Sequence, residues 1–449
     1  NMLAVFTELY TPRVKYIFEQ IFEKILRQEI VIINDKLALS SYSCPILCYS
    51  RTETIPNSFV VRPHGLLFGS GIKQYNPEVE DWNNTKIFFK TGNGDTDLPF
   101  DMFSAAFYLI SRYEEYGSTE LNEFGCYKAE SSLAYKNGFL EEPIVDQWAY
   151  LLENLLQRKN IGYEPAVKNR FVYRPLLNLD RLYKYRKRSL SVTIYELVRK
   201  MINSKWVSLK HQLKVLSLQA DDPYFNIDEV IELHNRNNLV PTFFLLVKKG
   251  IKYDNQIFFT FYYGIRKLLR RNFLVEFHPS YSSFGSYNRM KIEKNFLEAK
   301  VIRARATMSL FHFRMVLPES YHNLLKLAIK EDFSMSYLNH IGFRASTCTP
   351  FNFYDINHEY TTKLVVHPVE ISDRTLKSMG IHHEMLEKLM KDYANKIKLV
   401  NGEMATSFQN VSLSNDGRWF GWRGEYESAI RYISLLENHS IEESIDLSR

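Results

Sequence analysis

From about residue 176 onward, short apolar runs alternate with longer segments that have helical periodicity. The runs of strand length fall at 176–179, 242–246, 274–277, 364–366 and 404–408. Apolar residues three and four positions apart predict helices between them, for example at 227–236, 288–300 and 321–329. Alternation of this kind favours parallel strands joined by crossover helices. In such folds the functional side chains lie at the carboxyl ends of the strands.

Few polar side chains follow the predicted strands directly, and they form a short set of candidates. These candidates are Asn178, Asp180, His278, Asp332, Gln409 and Asn410. One carboxylate and one imidazole at neighbouring strand ends can begin a metal site. A histidine that precedes Pro279 is equally compatible with capping the backbone.

The chain is long enough for more than one domain, since 449 residues exceed the usual size of one. In the first third, Thr11 and Pro12 begin an amphipathic helix that extends to Ile25, and a strand follows at 30–33. Helices are predicted at 100–116 and 145–156. The regular spacing of apolar residues is lost around residues 159–175. We therefore expect an N-terminal α/β domain at 1–165 and a second domain at 166–449.

A basic stretch follows the predicted boundary. Between Arg181 and Lys214 there are ten Lys or Arg residues and one acid, Glu196. One interpretation is a contact with phosphate or nucleic acid. The interpretation we favour is a solvated helix face, with Val192, Ile194, Leu197, Met201 and Ile202 on its apolar side. A net charge of +6 permits an acidic partner without implying one, and we do not expect a nucleic acid partner.

Cysteine content and hydropathy indicate the cellular compartment in which the protein is expected. Cys44, Cys48, Cys126 and Cys348 are expected to be reduced thiols in the core, and the spacing of the first two does not predict a zinc knuckle. No window approaches the ~20 apolar residues that a membrane span needs. With Met2 as the initiator, we expect a cytoplasmic protein without a membrane partner.

A dozen short segments, in order along nearly the whole chain, resemble one family. In the first domain they are LPFDMFSAAFYLISRYEEY and GFLEEPIVDQW; in the second they are ADDPYFNIDEVIELH, PTFFLL, EFHPSYSS, LPESYHNLL, DFSMSY, IGFRASTCTPF, YDI, VVHP and WFGWRGEYE. The chain resembles the polysaccharide deacetylases of the NodB-homology class (carbohydrate esterase family four), in a branch with an extra N-terminal domain. The resemblance implies a distorted (β/α)7 barrel with its site at the carboxyl ends of the strands.

The family's chemistry needs a divalent metal, a base and an acid. One Asp and two His residues hold the metal, which activates a water; a second Asp accepts the proton, and a late His protonates the departing amine. By resemblance, Asp180 and His278 occupy metal positions here. The base position is Asn178 and the acid position is Gln409. Neither amide has useful basicity near neutral pH.

The second metal-binding His of simple deacetylases is also replaced, by Ser282. The branch's Arg-Gln-His triplet aligns with 309–311, so that His312 is one residue out of register. If this segment is a strand, the His312 side chain would point to the opposite side of the sheet from the family's histidine. We also expect substrate-binding positions at Tyr281, Arg344 and Asn410, although Arg344 is equally compatible with bracing a loop.

These substitutions predict a degenerate, catalytically impaired member of the family that binds a glycan or an N-acetylated sugar. No firmly bound cofactor is expected, because zinc or another divalent metal would have only Asp180 and His278 as ligands. Aromatic candidates for sugar contact are Tyr281, Phe311, Phe343, Trp419 and Trp422. One alternative is an active deacetylase that uses Asp221 and Asp222, which would then share a cleft with His278. The other is a non-enzymatic interaction protein that uses the N-terminal domain or the basic stretch.

Overall fold

The computed structural model describes residues 2–92, 94–186, 188–246, 266, 268–271, 273–300 and 306–446. Two sheets, each with its own helices, organise this part of the chain. None of its helices is both long enough and apolar enough to span a membrane.

The first sheet has four parallel strands in the order β2-β1-β3-β4. Their bounds are Met2–Thr7 (β1), Glu29–Ile33 (β2), Ile46–Tyr49 (β3) and Ser58–Val61 (β4). A small antiparallel pair, Glu80–Trp82 (β5) and Thr85–Ile87 (β6), follows. The helices are Pro12–Phe18, Met102–Ile110, Leu133–Lys136 and Ile144–Arg158. This α/β arrangement agrees with the sequence pattern, although β1, β3 and β4 were not predicted.

The first helix shows how local sequence sets these elements. The Thr11 side chain accepts a hydrogen bond from the backbone N–H of Val14 at 3.1 Å, and Pro12 occupies the first helical position. The amphipathic pattern continues to Ile25 as predicted, but Glu19–Ile25 forms a π-helix rather than an α-helix. Both segments bury their apolar side against the sheet.

The second sheet is a curled, nine-stranded half-barrel. Its strands are Val172–Leu179 (β7), Thr242–Leu246 (β8), Val275–His278 (β9), Thr307–Met308 (β10), Glu331–Met335 (β11), Phe351–Asp355 (β12), Tyr360–Pro368 (β13), Ile371–Ser372 (β14) and Glu403–Gln409 (β15). Their order is β12-β13-β11-β10-β9-β8-β7-β15-β14. All pairs are parallel except β12 with β13, which corrects the expectation of purely parallel pairing.

Between β13 and β14 the chain passes from one part of this sheet to the other. Val369 N–H donates to Met335 O at 3.1 Å, beside β11, and Glu370 N–H donates to Ala405 O at 3.2 Å, on β15. Both parts of the sheet also meet in one apolar cluster, formed by Leu176, Phe244, Phe313, Phe333, Val369 and Ala405. This curled architecture is compatible with an α/β barrel, and the seven-stranded closed form remains a prediction.

The helices of this half are Leu190–Ile202, Trp206–Leu216, Ile227–Asn235, Tyr287–Lys300, Glu319–Lys326, Asp373–Ser378, Leu386–Leu399 and Trp422–Asp446. The first of them contains no buried residue, although an apolar side was predicted for it. Ile194 and Ile202 are exposed. The expected apolar residues are present, but the neighbouring elements leave all of them partly or fully exposed.

Strand alternation carries the polar candidates to the inner side of the curled sheet. On β7, Leu176 belongs to the inner cluster, whereas Leu177 and Leu179 pack in the outer core. Because side chains alternate along a strand, Asn178 and Asp180 share the inner side with Leu176.

A buried charge network joins the two halves of the molecule. Arg344 donates to Glu115 Oε2 at 2.7 Å and to Glu115 Oε1 at 3.0 Å. Arg112 donates to the same carboxylate at 2.9 Å. A second buried carboxylate, Asp146, accepts from Thr349 Oγ1 at 2.6 Å. These contacts fix the curled sheet against the N-terminal helices.

Candidate functional site

A cavity of about 530 Å³ lies at the carboxyl ends of the curled sheet. We call it the strand-end cavity. Its lining residues are Glu123, Phe124, Asp180, Arg181, Tyr224, His312, Leu338, Asn339, Arg374, Lys377, Ser378, Gln409, Val411, Arg418 and Trp419. Two of the predicted site residues, Asp180 and Gln409, therefore share it. Most of the other lining residues come from loops and from the helix Asp373–Ser378.

Asp180 is held between a guanidinium and an imidazole. The Arg374 guanidinium donates a short hydrogen bond to Asp180 Oδ2. His278 Nε2 lies 3.6 Å from Asp180 Oδ1, too far for a hydrogen bond. Both Asp180 and His278 are buried. One carboxylate oxygen therefore meets a protein cation, and the other faces a histidine ring.

The tautomer of His278 follows from its second contact. His278 Nδ1 lies 2.6 Å from Ser309 O, and a carbonyl can only accept, so Nδ1 carries the hydrogen. Burial lowers the pKa of His278, although the nearby Asp180 carboxylate opposes that shift. The neutral ring then presents the Nε2 lone pair toward Asp180 Oδ1. A water or a cation could bridge these two acceptors.

The amides at the base and acid positions are buried at the same edge of the sheet. Asn178 Nδ2 donates to Ser407 Oγ at 2.8 Å. The Gln409 backbone N–H donates to Asp373 Oδ2 at 2.8 Å, which leaves the Gln409 side chain to line the cavity. Asn410 Nδ2 donates to Arg181 O and Tyr224 O at 2.7 and 2.9 Å. Asn410 thus joins two loops of the cavity wall.

Buried polar atoms without a hydrogen-bond partner are concentrated here. In the part of the chain that the structure describes, they include Asn178 Oδ1, Asp180 Oδ1, Gln409 Nε2, Asn410 Oδ1 and Trp419 Nε1. Such atoms are rare in folded proteins, because each one costs about 1–3 kcal/mol unless water or a ligand satisfies it. Three of these atoms, Asp180 Oδ1, Gln409 Nε2 and Trp419 Nε1, belong to residues that line the strand-end cavity. One acceptor and two donors in such positions are suited to a polar ligand.

His312 also lines this cavity, which corrects the expectation that it faces away. That expectation assumed a strand, but β10 ends at Met308 and Phe311–Phe313 is a short 3-10 turn. His312 has φ 56° and ψ 27°, so alternation does not apply to it. Burial lowers the pKa of His312 to about 2, helped by the positive charge of Arg374. The ring is therefore neutral at physiological pH.

Other sequence candidates lie elsewhere. Tyr281 lines a separate small pocket, where the Arg314 guanidinium stacks on its ring with 4.1 Å between Arg314 Cζ and the ring centroid. The Arg344 guanidinium donates two hydrogen bonds to the Glu115 carboxylate, which agrees with the interpretation that Arg344 braces the structure. Phe343 and Trp422 are buried and line none of the described cavities, while the Phe311 side chain lies outside the described structure.

The Asp222 carboxylate stabilises the loop that follows β7. Its carboxylate accepts backbone N–H groups from Lys184, Tyr185 and Arg186 at 2.7–3.0 Å. Neither Asp221 nor Asp222 lines the strand-end cavity. The cleft shared with His278, which the alternative active site needs, is therefore not formed by the described residues.

The residues around Asp180 do not fit the three-ligand metal centre of the family. Asp180 Oδ2 is already bonded to a guanidinium, whose positive charge opposes a second cation. In the described part of the chain, three ligand atoms from His, Cys, Asp or Glu lie within 4.8 Å of one another only at His322, Asp355 and His358. In that group both rings contact Asp355 Oδ2, at 2.7 and 2.8 Å.

Sequence reasoning missed Arg374, Lys377 and Arg418. Arg374 follows β14, a two-residue strand with no readable periodicity.

Parts of the chain resemble known proteins. Residues 3–161 match the model of a family of unknown function, DUF7033. No curated protein matches the sequence. A solved structure described as a "putative polysaccharide deacetylase from Mycobacterium smegmatis" superposes with a TM-score of 0.39 at 11% identity, over 63% of this chain and 93% of that chain.

Proposed function

We propose that this chain is a polysaccharide deacetylase-like protein that binds an N-acetylated glycan in the strand-end cavity and hydrolyses it poorly or not at all. The proposal includes a division near residue 165, with a distorted seven-stranded barrel after it. We propose that Asp180, Gln409 and Trp419 contact the ligand and that Asn410 holds two loops of the cavity wall together. Asn178 and Gln409 occupy the positions of a lost base and acid.

The observation that carries the proposal is the group of unsatisfied polar atoms at the strand ends. Sugars present hydroxyl and acetamido groups that both donate and accept, and the cavity wall offers both kinds of atom. Trp419 adds an aromatic ring beside these atoms. Aromatic rings supply the apolar area that a sugar face covers, and the indole N–H supplies a donor.

Loss of catalysis follows from the same side chains. Asn178 and Gln409 cannot exchange a proton near pH 7, and loss of a general base or acid usually costs ~10²–10⁴-fold in rate. The neutral His312 has a pKa of about 2, so it does not replace the acid. Arg374 on Asp180 disfavours the metal that would activate the water.

A calorimetric titration with N-acetylglucosamine tetramer tests ligand binding. Trp419→Phe keeps most of the ring and removes the N–H donor, so we expect it to weaken binding about tenfold. Trp422→Phe makes the same change in the buried ring beside it, 5.1 Å away between centroids, and should not weaken binding. Equal effects of the two variants, or no binding by the native chain, would refute the proposal.

A metal-dependent deacetylase that uses other residues is the second candidate. The arrangement of Asp180 Oδ1 and the His278 Nε2 lone pair favours it, because metal-bound histidines often donate their other N–H to a carbonyl. In that case acetate would be released from the tetramer in the presence of zinc. The non-enzymatic alternative predicts neither binding of the tetramer nor acetate release.

A further inference from the structure

A second cavity, of about 370 Å³, adjoins the strand-end cavity and is strongly basic. We call it the basic cavity. Its lining residues are Arg181, Lys184, Tyr185, Arg188, Glu196, Arg199, Lys200, Asn203, Lys205, Ser208 and Tyr224. Six of these side chains are cationic and one is acidic. Arg181 and Tyr224 line both cavities, so they form a shared wall.

Most of this positive charge has no carboxylate opposite it. Within the described residues, Lys184 pairs with Asp416 and Arg188 with Glu196. No described carboxylate forms an ion pair with Arg181, Arg199, Lys200 or Lys205, all of which the structure places at the cavity. Burial lowers the pKa of Arg181, and the positive charges of Arg188 and Arg418 add to that shift. Like charges gathered in this way favour a bound anion.

Two of the six cations, Lys184 and Lys200, are held in place by their neighbours. Asp222 fixes the backbone of Lys184 and Tyr185 through their N–H groups. The ammonium groups of Lys184 and Lys200 lie 4.8 and 4.5 Å from the centroid of the Tyr185 ring. Lys200 also donates to Gln212 Oε1 at 2.5 Å. Positioned charges lose less entropy when they bind a ligand.

A helix begins at the same place. The helix Trp206–Leu216 has no acidic residue in its first turn, and Lys205 and Ser208 from its start line the cavity. The positive end of the helix dipole and the first-turn N–H groups favour an anion here. These contributions add to those of the side chains and point to the same ligand charge.

We propose that the basic cavity binds a phosphate-class oxyanion, such as a phosphomonoester or a diphosphate. Its volume of about 370 Å³ suits a small group, and it is a recess rather than a flat surface. A flat, extended polyanion would contact only the rim, so a nucleic acid is the less suitable ligand. This proposal does not rest on glycan binding, because only Arg181 and Tyr224 belong to both cavities.

The phosphate could belong to a soluble molecule or to a lipid headgroup. The helix pair that supplies Arg199 and Lys205 also exposes Leu190, Ile202 and Val207, which are 80, 74 and 87% exposed. Basic and apolar residues together are typical of helices that lie on anionic membrane surfaces. Both sources share the oxyanion, and the experiment below separates them.

The test uses the whole chain and two double variants with equal loss of charge. Arg199→Ala/Lys205→Ala removes two exposed cations of the cavity. Lys210→Ala/Lys214→Ala removes two exposed lysines of the same helix pair that do not line the cavity. Inorganic pyrophosphate is titrated into each protein by calorimetry at low ionic strength. Each protein is also sedimented with phosphatidylglycerol vesicles and with phosphatidylcholine vesicles.

We expect one pyrophosphate per chain, with affinity at least about tenfold lower in the Arg199/Lys205 variant and nearly unchanged in the Lys210/Lys214 variant. Vesicle binding with the same dependence on Arg199 and Lys205 would assign the anion to a lipid headgroup. Pyrophosphate binding without vesicle binding would assign it to a soluble ligand. The proposal is overturned if neither probe binds, if both variants lose affinity equally, or if only a long nucleic acid competes.

Discussion

The Arg374 guanidinium donates to Asp180 Oδ2 at the carboxyl ends of the curled sheet, where the resemblance places a metal ion. A positive charge therefore already neutralises this carboxylate. Removal of the Arg374 charge should allow a divalent cation to bind between Asp180 and His278.

Replacement of Arg374 by Gln should raise the affinity of the chain for zinc about tenfold or more, because a nearby positive charge is removed. Competition with a chromogenic zinc chelator measures this affinity. Lys377→Gln removes a charge from the same cavity without touching Asp180, and should change the affinity much less. Equal affinities in the native chain and in Arg374→Gln would contradict this role of Arg374.

Glu115→Gln should destabilise the chain by about 3–5 kcal/mol, because it leaves the buried guanidinium groups of Arg112 and Arg344 without their shared carboxylate. Urea unfolding measures the change. Glu120→Gln is the control, since its contact with Lys128 is exposed and 3.9 Å long, and it should cost less than about 1 kcal/mol. A loss below 1 kcal/mol for Glu115→Gln would show that the network does not hold the halves together.

The stability of the chain should fall as pH rises through about 6, owing in part to Asp373. Burial raises the pKa of Asp373 to about 6, despite hydrogen bonds from Ser412 and Gln409. The folded state then binds its proton more tightly than the unfolded state, where the pKa is about 3.9. The associated stability is present below pH 4 and is lost as pH rises through 6, at most about 3 kcal/mol.

The variant Asp373→Asn isolates this contribution. The difference in unfolding free energy between the native chain and Asp373→Asn should shift in favour of the variant between pH 4.5 and pH 7.5. Urea unfolding at both values measures it. A difference that does not depend on pH would mean that Asp373 has an ordinary pKa.

A fragment of residues 166–449 should be poorly soluble or only loosely folded. Without the N-terminal part it exposes Arg344, which is buried against Glu115, and Thr349, which bonds to Asp146. Circular dichroism in the near ultraviolet and urea unfolding would detect the loss of fixed packing. A fragment that unfolds in urea as cooperatively as the native chain, and at as high a urea concentration, would refute this dependence.

Much of the curled sheet could be predicted from the sequence. Residues 242–246 were predicted as a strand and form one with those bounds, Thr242–Leu246. Runs at 274–277 and 404–408 differ from the observed strands by a residue or less at each end. These strands are apolar and of normal length, so that composition and length identify them. The strand Thr307–Met308 is too short to give any pattern.

The site could be predicted only in part. Asp180 and Gln409 were found because each follows an apolar strand. His312 was predicted to face away, since a left-handed turn cannot be read from residue spacing. Arg344 and Tyr281 were chosen by resemblance, and their partners, Glu115 and Arg314, are distant in sequence. Long-range pairings of this kind have no local sequence pattern.

We propose that the strand-end cavity binds an N-acetylated sugar without hydrolysing it efficiently. The most direct test is the acetate released from N-acetylglucosamine tetramer by the purified chain with zinc supplied. The account predicts a rate at least ~10²-fold below that of an enzyme with both the base and the acid intact. Release at the rate of an intact deacetylase, abolished by Asp180→Ala, would contradict it.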